Sequence, residues 1–116
     1  MSRELHQIVI SEAVKILEQD GVWAEDHTWG KIGQHVCGDF NEAIARIDRL
    51  TTMCSHIAIH AAAKKVVSDQ AQAFNLGDST VVYLTRRLEI PSNTLFVWHD
   101  NVGKEKGLAT LRAIAS

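Results

Sequence analysis

His56 and His60 stand four residues apart in CSHIAIHAAA, the spacing that puts two imidazoles on one face of a helix, where they could share one metal ion. Two nitrogens do not complete a tetrahedral centre. His35, Cys37 and Asp39 alternate in QHVCGD, and a loop folded over that helix would bring a third ligand, His35 foremost. Such a centre would lower the pKa of a bound water and serve a metal-dependent hydrolase. Against it, the helical zinc-protease pattern places Glu directly after its first His, and Ile57 stands there. The plainer expectation is that His56 and His60 flank an apolar face and bond to backbone or loop groups, with no cofactor.

LFVWHDN, Leu95 to Asn101, is the second constellation. His99 beside Asp100 has the chemistry of a general base and its orienting acid, but the pair requires a nucleophile or metal that the sequence does not identify. The expectation is a corner of the fold: Asp100 or Asn101 caps a following helix, worth about 1 kcal/mol, while Trp98 buries its ring. Nucleophilic catalysis has less support. Neither Cys37 nor Cys54 has an adjacent basic residue to lower its pKa, there is no Gly-x-Ser-x-Gly elbow, and GKIG lacks the length and terminal Ser or Thr of a phosphate loop. Both cysteines read as free, small core residues. These residues weigh against an enzyme.

The elements that must position them belong to one domain, residues 1–116, of a size able to bury its own core. Apolar residues at 46% and charged ones at 22% place the chain among globular proteins. A net charge of −2 provides no footprint for nucleic acid, which is disfavoured; Lys64-Lys65, Arg86-Arg87, Lys104 and Lys106 would make a patch only if their helices lay side by side. No apolar run reaches membrane-spanning length, and MSRELHQIVISEAV is unlike a signal peptide, so a cytoplasmic location without membrane contact is expected.

The fold class expected is all-α: a compact single-domain bundle of about five helices with a Trp-rich loop after the first. Leu5, Ile8, Val9, Ala13, Ile16 and Leu17 recur at helical spacing, with Ser2 as cap and Gly21 as stop. Val22 to Gly38 reads as an ordered loop, with a short hairpin around Gly30 to Gly33. Asp39 and Glu42 resemble a capping box for a second helix, which kinks or breaks at Thr51 and Thr52. IAIHAAA, apolar nearly all round, marks the central helix. A short turn of helix follows Ser68; Gly77 and Asp78 separate it from STVVYLTRRLEI, where Val81, Leu84 and Leu88 share a helical face although VVYL alone could pass as a strand, and Pro91 ends that element. The last helix carries Leu108, Leu111 and Ile114 or Ala115 inward.

Taken together, Gly21-Val-Trp23, MCSHIAIHAAA and FVWHDNVGKEKGLATLRAIA resemble a small helical family of unknown function, frequent in actinobacteria and phages. Its members have a Trp-Asn-Asp corner ahead of a final Leu-rich helix. Trp98 and Asp100 match that corner, His99 replaces its Asn, and Lys104 to Lys106 departs from the usual capping threonine. The resemblance implies a fold and no activity.

By elimination, the expected function is a non-catalytic protein-interaction or inhibitor module of bacterial or phage origin. It would bind an unidentified partner protein, or a second copy of itself, through exposed Trp23, Trp29 and Tyr83 and the Trp98, His99, Asp100 corner. The metal-dependent hydrolase and a nucleic-acid-binding protein are the alternatives.

Overall fold

The computed structural model describes residues 4–116. A cap from Ser2 lies outside the described residues. Helix α1 (Leu5–Leu17) begins where the Glu4 amide donates to Gln7 Oε1 at 2.9 Å, the reciprocal half of a capping box. Its inward face is Val9, Ile10, Ala13, Val14, Ile16 and Leu17. Leu5, expected on that face, is 49% exposed.

The Trp-rich segment folds into a small sheet. Strands β1 (Gly30–Ile32) and β2 (His35–Val36) form the expected hairpin, with Lys31 opposite Val36. The third strand, β3 (Thr52–Met53), comes from the far side of the next helix, giving the antiparallel order β2-β1-β3. Helix α2 (Phe40–Ala45) starts as its sequence signals: Asp39 accepts from the Glu42 amide at 2.8 Å, and Glu42 Oε1 accepts from the Gly38 amide at 2.7 Å. A 3-10 turn, Ile47–Arg49, leads into β3. The break at the threonines is therefore a strand, and residues 40–66 form two helices.

Helix α3 (Ser55–Val66) is the central one, with Ile57, Ala58, Ile59, His60, Ala62 and Ala63 all buried. It packs against α1 and α5 (Leu95–Val102), and against α4 (Gln70–Leu88). Helix α4 corrects the sequence reading once, by running unbroken through Gly77 and Asp78; VVYL lies within it, with Val81 and Leu84 buried as the helical spacing predicts. Glycine interrupts a helix only weakly, at about 1 kcal/mol, and here the absent side chain makes room. A Cβ on Gly77 would sit 2.4 Å from His60 Nδ1. Buried Thr80 and Thr85 donate back to the carbonyls of Leu76 and Val81 at 2.7 and 2.8 Å, so their hydroxyls are satisfied within the helix. Glu89, at φ +59°, ends α4 two residues before Pro91.

The stretch LFVWHDN is a helix rather than the loop before one, which corrects the expected cap. Gly103, at φ +81°, makes the joint between α5 and α6 (Lys104–Ala115), so neither Asp100 nor Asn101 precedes the last helix. Leu108, Leu111, Ile114 and Ala115 of α6 face inward as expected. At the other end of the bundle, Gln7 Nε2 donates to the carbonyls of Ile114 and Ser116, each at 3.1 Å, tying α1 to the last turn of α6. The fold is mostly helical, with six α-helices and one small sheet among the described residues. None of these helices is long and apolar enough to cross a membrane.

Candidate functional site

His99 is a buried structural joint. Its Nδ1 accepts from the Ser55 amide at 2.9 Å and lies 2.6 Å from the Ser55 hydroxyl, while Nε2 lies 2.9 Å from the Ala24 carbonyl. A carbonyl only accepts, so Nε2 carries the proton and Nδ1 is the acceptor for both Ser55 groups. Burial pushes His99 down to about 4, against smaller opposing effects of Ala24 and Asp100, which keeps the ring neutral. Trp23 stacks on it, centroids 3.8 Å apart. Ser55 and His99 have the residue types of a nucleophile and its base, but they are 0% and 1% exposed and both ring nitrogens are engaged. Ser55 had no signal in the sequence, because its partner lies 44 positions away.

Asp100 turns away from His99. Its Oδ1 accepts from the His27 amide at 2.9 Å, and Oδ2 lies 3.2 Å from His27 Nε2. Asp26 and His27 both have positive φ, 59° and 56°, so this carboxylate holds a left-handed turn in the Trp-rich segment. The base and orienting-acid pairing of His99 with Asp100 is thereby replaced by two separate structural roles.

The residues expected to form an exposed binding face do not share one. Trp23 is 8% exposed, held between His99 and Gly107, where a Cβ would approach its Cη2 to 2.4 Å. Trp29 is half-buried and stacks on Phe96 at 4.3 Å. Tyr83 is half-buried on α4, with its hydroxyl accepting from Arg87 at 2.9 Å and the guanidinium 5.8 Å from its ring centre. Trp98 lines a separate surface cleft with Pro91 and Asn101. Trp23 and His99 are buried against each other, while Trp29, Tyr83, Trp98 and Asp100 are half-buried, so no single exposed face collects the expected residues.

His56 and His60 do share a face, with rings nearly parallel and centroids 5.7 Å apart. Their neighbours are aromatic: Phe40 lies 4.7 Å from His56 and 5.3 Å from His60, and Phe74 lies 5.1 Å from His60. His60 Nε2 is 3.2 Å from Asp78 Oδ1 but is not aligned for a hydrogen bond, and His56 Nδ1 is also unpaired among the described residues. Burial brings each ring down to about 4, so both are neutral. His35 does not join them. It sits on β2 with Nε2 2.8 Å from Glu42 Oε2, and no third ligand converges with the α3 pair among the described residues.

The most open chemistry near this pair is a groove of about 500 Å³ lined by Ile44 and Ile47, by His60 and Lys64, and by Gln70 and Phe74. It continues past Arg46, Asp48 and Arg49. Phe74 is 40% exposed at its edge. Lys64 holds Asp48 at 3.0 Å across the groove. The sequence does not single out this site, because its lining comes from three elements and Phe74 lies in a segment that reads as only a short turn of helix.

The two basic pairs, Lys64-Lys65 and Arg86-Arg87, do not share a patch. Three residues, 67–69, join α3 to α4, and contacts of His60 with Gly77 and of Lys64 with the α4 start show the two running antiparallel. Lys64-Lys65, on α3 beside the start of α4, and Arg86-Arg87, in the last turn of α4, are therefore about 24 Å apart at 1.5 Å per residue. Neither cysteine is a poised thiolate. Both are buried and free; burial and Glu42 push Cys37 up, and burial pushes Cys54 up to about 12.

No protein-family model, curated protein or solved structure matches this chain.

Proposed function

We propose that this chain is a non-catalytic protein-interaction module whose binding face is the groove between α2, α3 and the start of α4. The observation that carries the reading is Phe74: a large aromatic, 40% exposed, beside a concave apolar surface of Ile44, Ile47 and the neutral His60 ring. The rim is cationic at Arg46, Arg49 and Lys64, with Asp48 as the opposing charge. An acidic amphipathic segment of a partner protein fits that chemistry, its apolar side chains in the groove and its carboxylates along the rim. Inhibition by occupying a partner's surface is the mode of action this reading favours.

The test places a photo-crosslinking residue at position 74 and, as control, at Ala109 on α6, in a bacterial host. The expected result is a heterologous adduct specific to position 74, mapped to an acidic amphipathic segment, and lost on Arg46→Glu with Arg49→Glu. Equal capture at position 109, or capture indifferent to the charge reversal, overturns the reading. Adducts between two copies of this chain overturn the heterologous partner and leave a homodimer in its place.

A further inference from the structure

We propose that His35, Cys37 and Glu42 form a binding site for one divalent transition-metal ion of the zinc class. One imidazole nitrogen, the cysteine sulfur and one carboxylate oxygen from these residues lie within 4.8 Å of one another. Among the described residues no other set of three such donors converges this closely. Zinc held at about 2.0–2.3 Å by tetrahedral N, S and O donors brings them to within roughly 4 Å of each other, so small side-chain rotations close the site. A mixed N, S, O set suits zinc and its borderline neighbours and disfavours calcium or magnesium, which take oxygen.

The surroundings orient each donor. The Cys37 amide donates to the Gly30 carbonyl at 2.9 Å, which continues the β1–β2 pairing and fixes where the thiol leaves the hairpin. Glu42 has its Oε1 tied to the Gly38 amide at 2.7 Å, leaving Oε2 turned toward His35 at 2.8 Å. A ligand carboxylate with one oxygen held by backbone is the outer-shell arrangement that metal sites use. Asp39 is occupied in capping α2, so the fourth position falls to water or to a group from outside. Cys37 is 2% exposed while His35 lies at the surface, which gives the site a sealed sulfur side and an open entry side.

The charges balance. A thiolate and a carboxylate neutralise the dication, and the thiol proton passes to the buffer, one per ion bound. The metal would join the hairpin to α2. It lies on a different set of side chains from His56 and His60, and it requires nothing of the groove.

The experiment is a cobalt(II) titration of untagged, reduced protein, followed by zinc competition and by calorimetry in buffers of different ionisation enthalpy. Expected are one equivalent bound, a thiolate-to-cobalt charge-transfer band, displacement by zinc and release of close to one proton. Cys37→Ser should remove the band. His35→Gln and Glu42→Gln, both near the surface and checked for fold by circular dichroism, should each weaken binding by at least the 10–100-fold that loss of an outer-shell partner costs. Cys54→Ala should leave the band in place. A wild-type protein without a saturable charge-transfer band, or a band that survives Cys37→Ser, overturns the proposal. Cobalt binding abolished by His56→Ala and indifferent to Glu42→Gln overturns it too, by placing the ion on α3.

Discussion

His99 caps a helix that begins 44 residues before it: its Nδ1 lies 2.9 Å from the Ser55 amide, and no side chain of Cys54, the capping position of α3, does that work. An unsatisfied amide at the start of a buried central helix would cost about 1–3 kcal/mol. His99→Leu leaves that amide, the Ser55 hydroxyl and the Ala24 carbonyl without their partner and should destabilise by about 3–5 kcal/mol. His99→Gln, which keeps an acceptor and a donor, should recover part of this. Urea unfolding of both variants checks it; a His99→Leu protein within 1 kcal/mol of the parent would remove the cap from the account.

Stability should fall in mild acid. His56, His60 and His99 are each held at about 4 by burial, whereas an unfolded histidine titrates near 6.5. In that window the unfolded chain binds more protons, so the contribution of each neutral ring is complete above about pH 6.5 and is lost as the pH falls toward 4. Asp78 acts against burial at His56 and Asp100 does so at His99, but burial outweighs both. Between pH 7 and pH 5 each ring should contribute a drop of up to about 2 kcal/mol. Denaturant curves at pH 7, 6 and 5 measure it, and a flat profile would show that the folded protein accepts the charges.

Gly77→Ala should destabilise, although the same exchange at an exposed helix site stabilises by about 1 kcal/mol. The new Cβ would meet the His60 ring at 2.4 Å, and overpacking of this kind costs about 1–3 kcal/mol. In a double-mutant cycle with His60→Ala the penalty of Gly77→Ala should shrink or reverse. Simple additivity of the two changes would show that the ring and the glycine do not meet in solution.

Asp100→Ala should loosen residues 25–28 rather than the bundle. The change removes the acceptor for the His27 amide and leaves two non-glycine residues in left-handed backbone without their clamp. A loss of about 1–2 kcal/mol and faster proteolytic nicking in that turn are expected. Unchanged nicking with a uniform loss elsewhere would assign Asp100 a different role.

What could be read in advance follows the range of the interactions. Helices α1 and α3 announce themselves through local periodicity, and α2 through Asp39 and Glu42, because those bonds close within a few residues. The sheet partner of β1 could not be read, since β3 is two residues long and arrives some twenty positions later. Gly77 looked like a break and is a seat for His60; only the packed structure distinguishes the two. Likewise the stop after LFVWHDN is Gly103, while Asp100, expected as a cap, is spent on His27, and His99, the candidate base, on Ser55 and Ala24. Of the candidate chemistry, the shared face of His56 and His60 was legible from spacing. The company of His35 was not, because Glu42 reaches it across the turn into α2.

The Gln7 side chain, bonded to the carbonyls of Ile114 and Ser116, makes the first turn of α1 and the last turn of α6 a single latch. Helix ends ordinarily fray independently, each at its own small cost. Here, opening either end strips partners from the other, so amide exchange in the two turns should rise and fall together. Gln7→Ala should raise it in both at once, and protection lost in only one of them would show that the latch does not couple them.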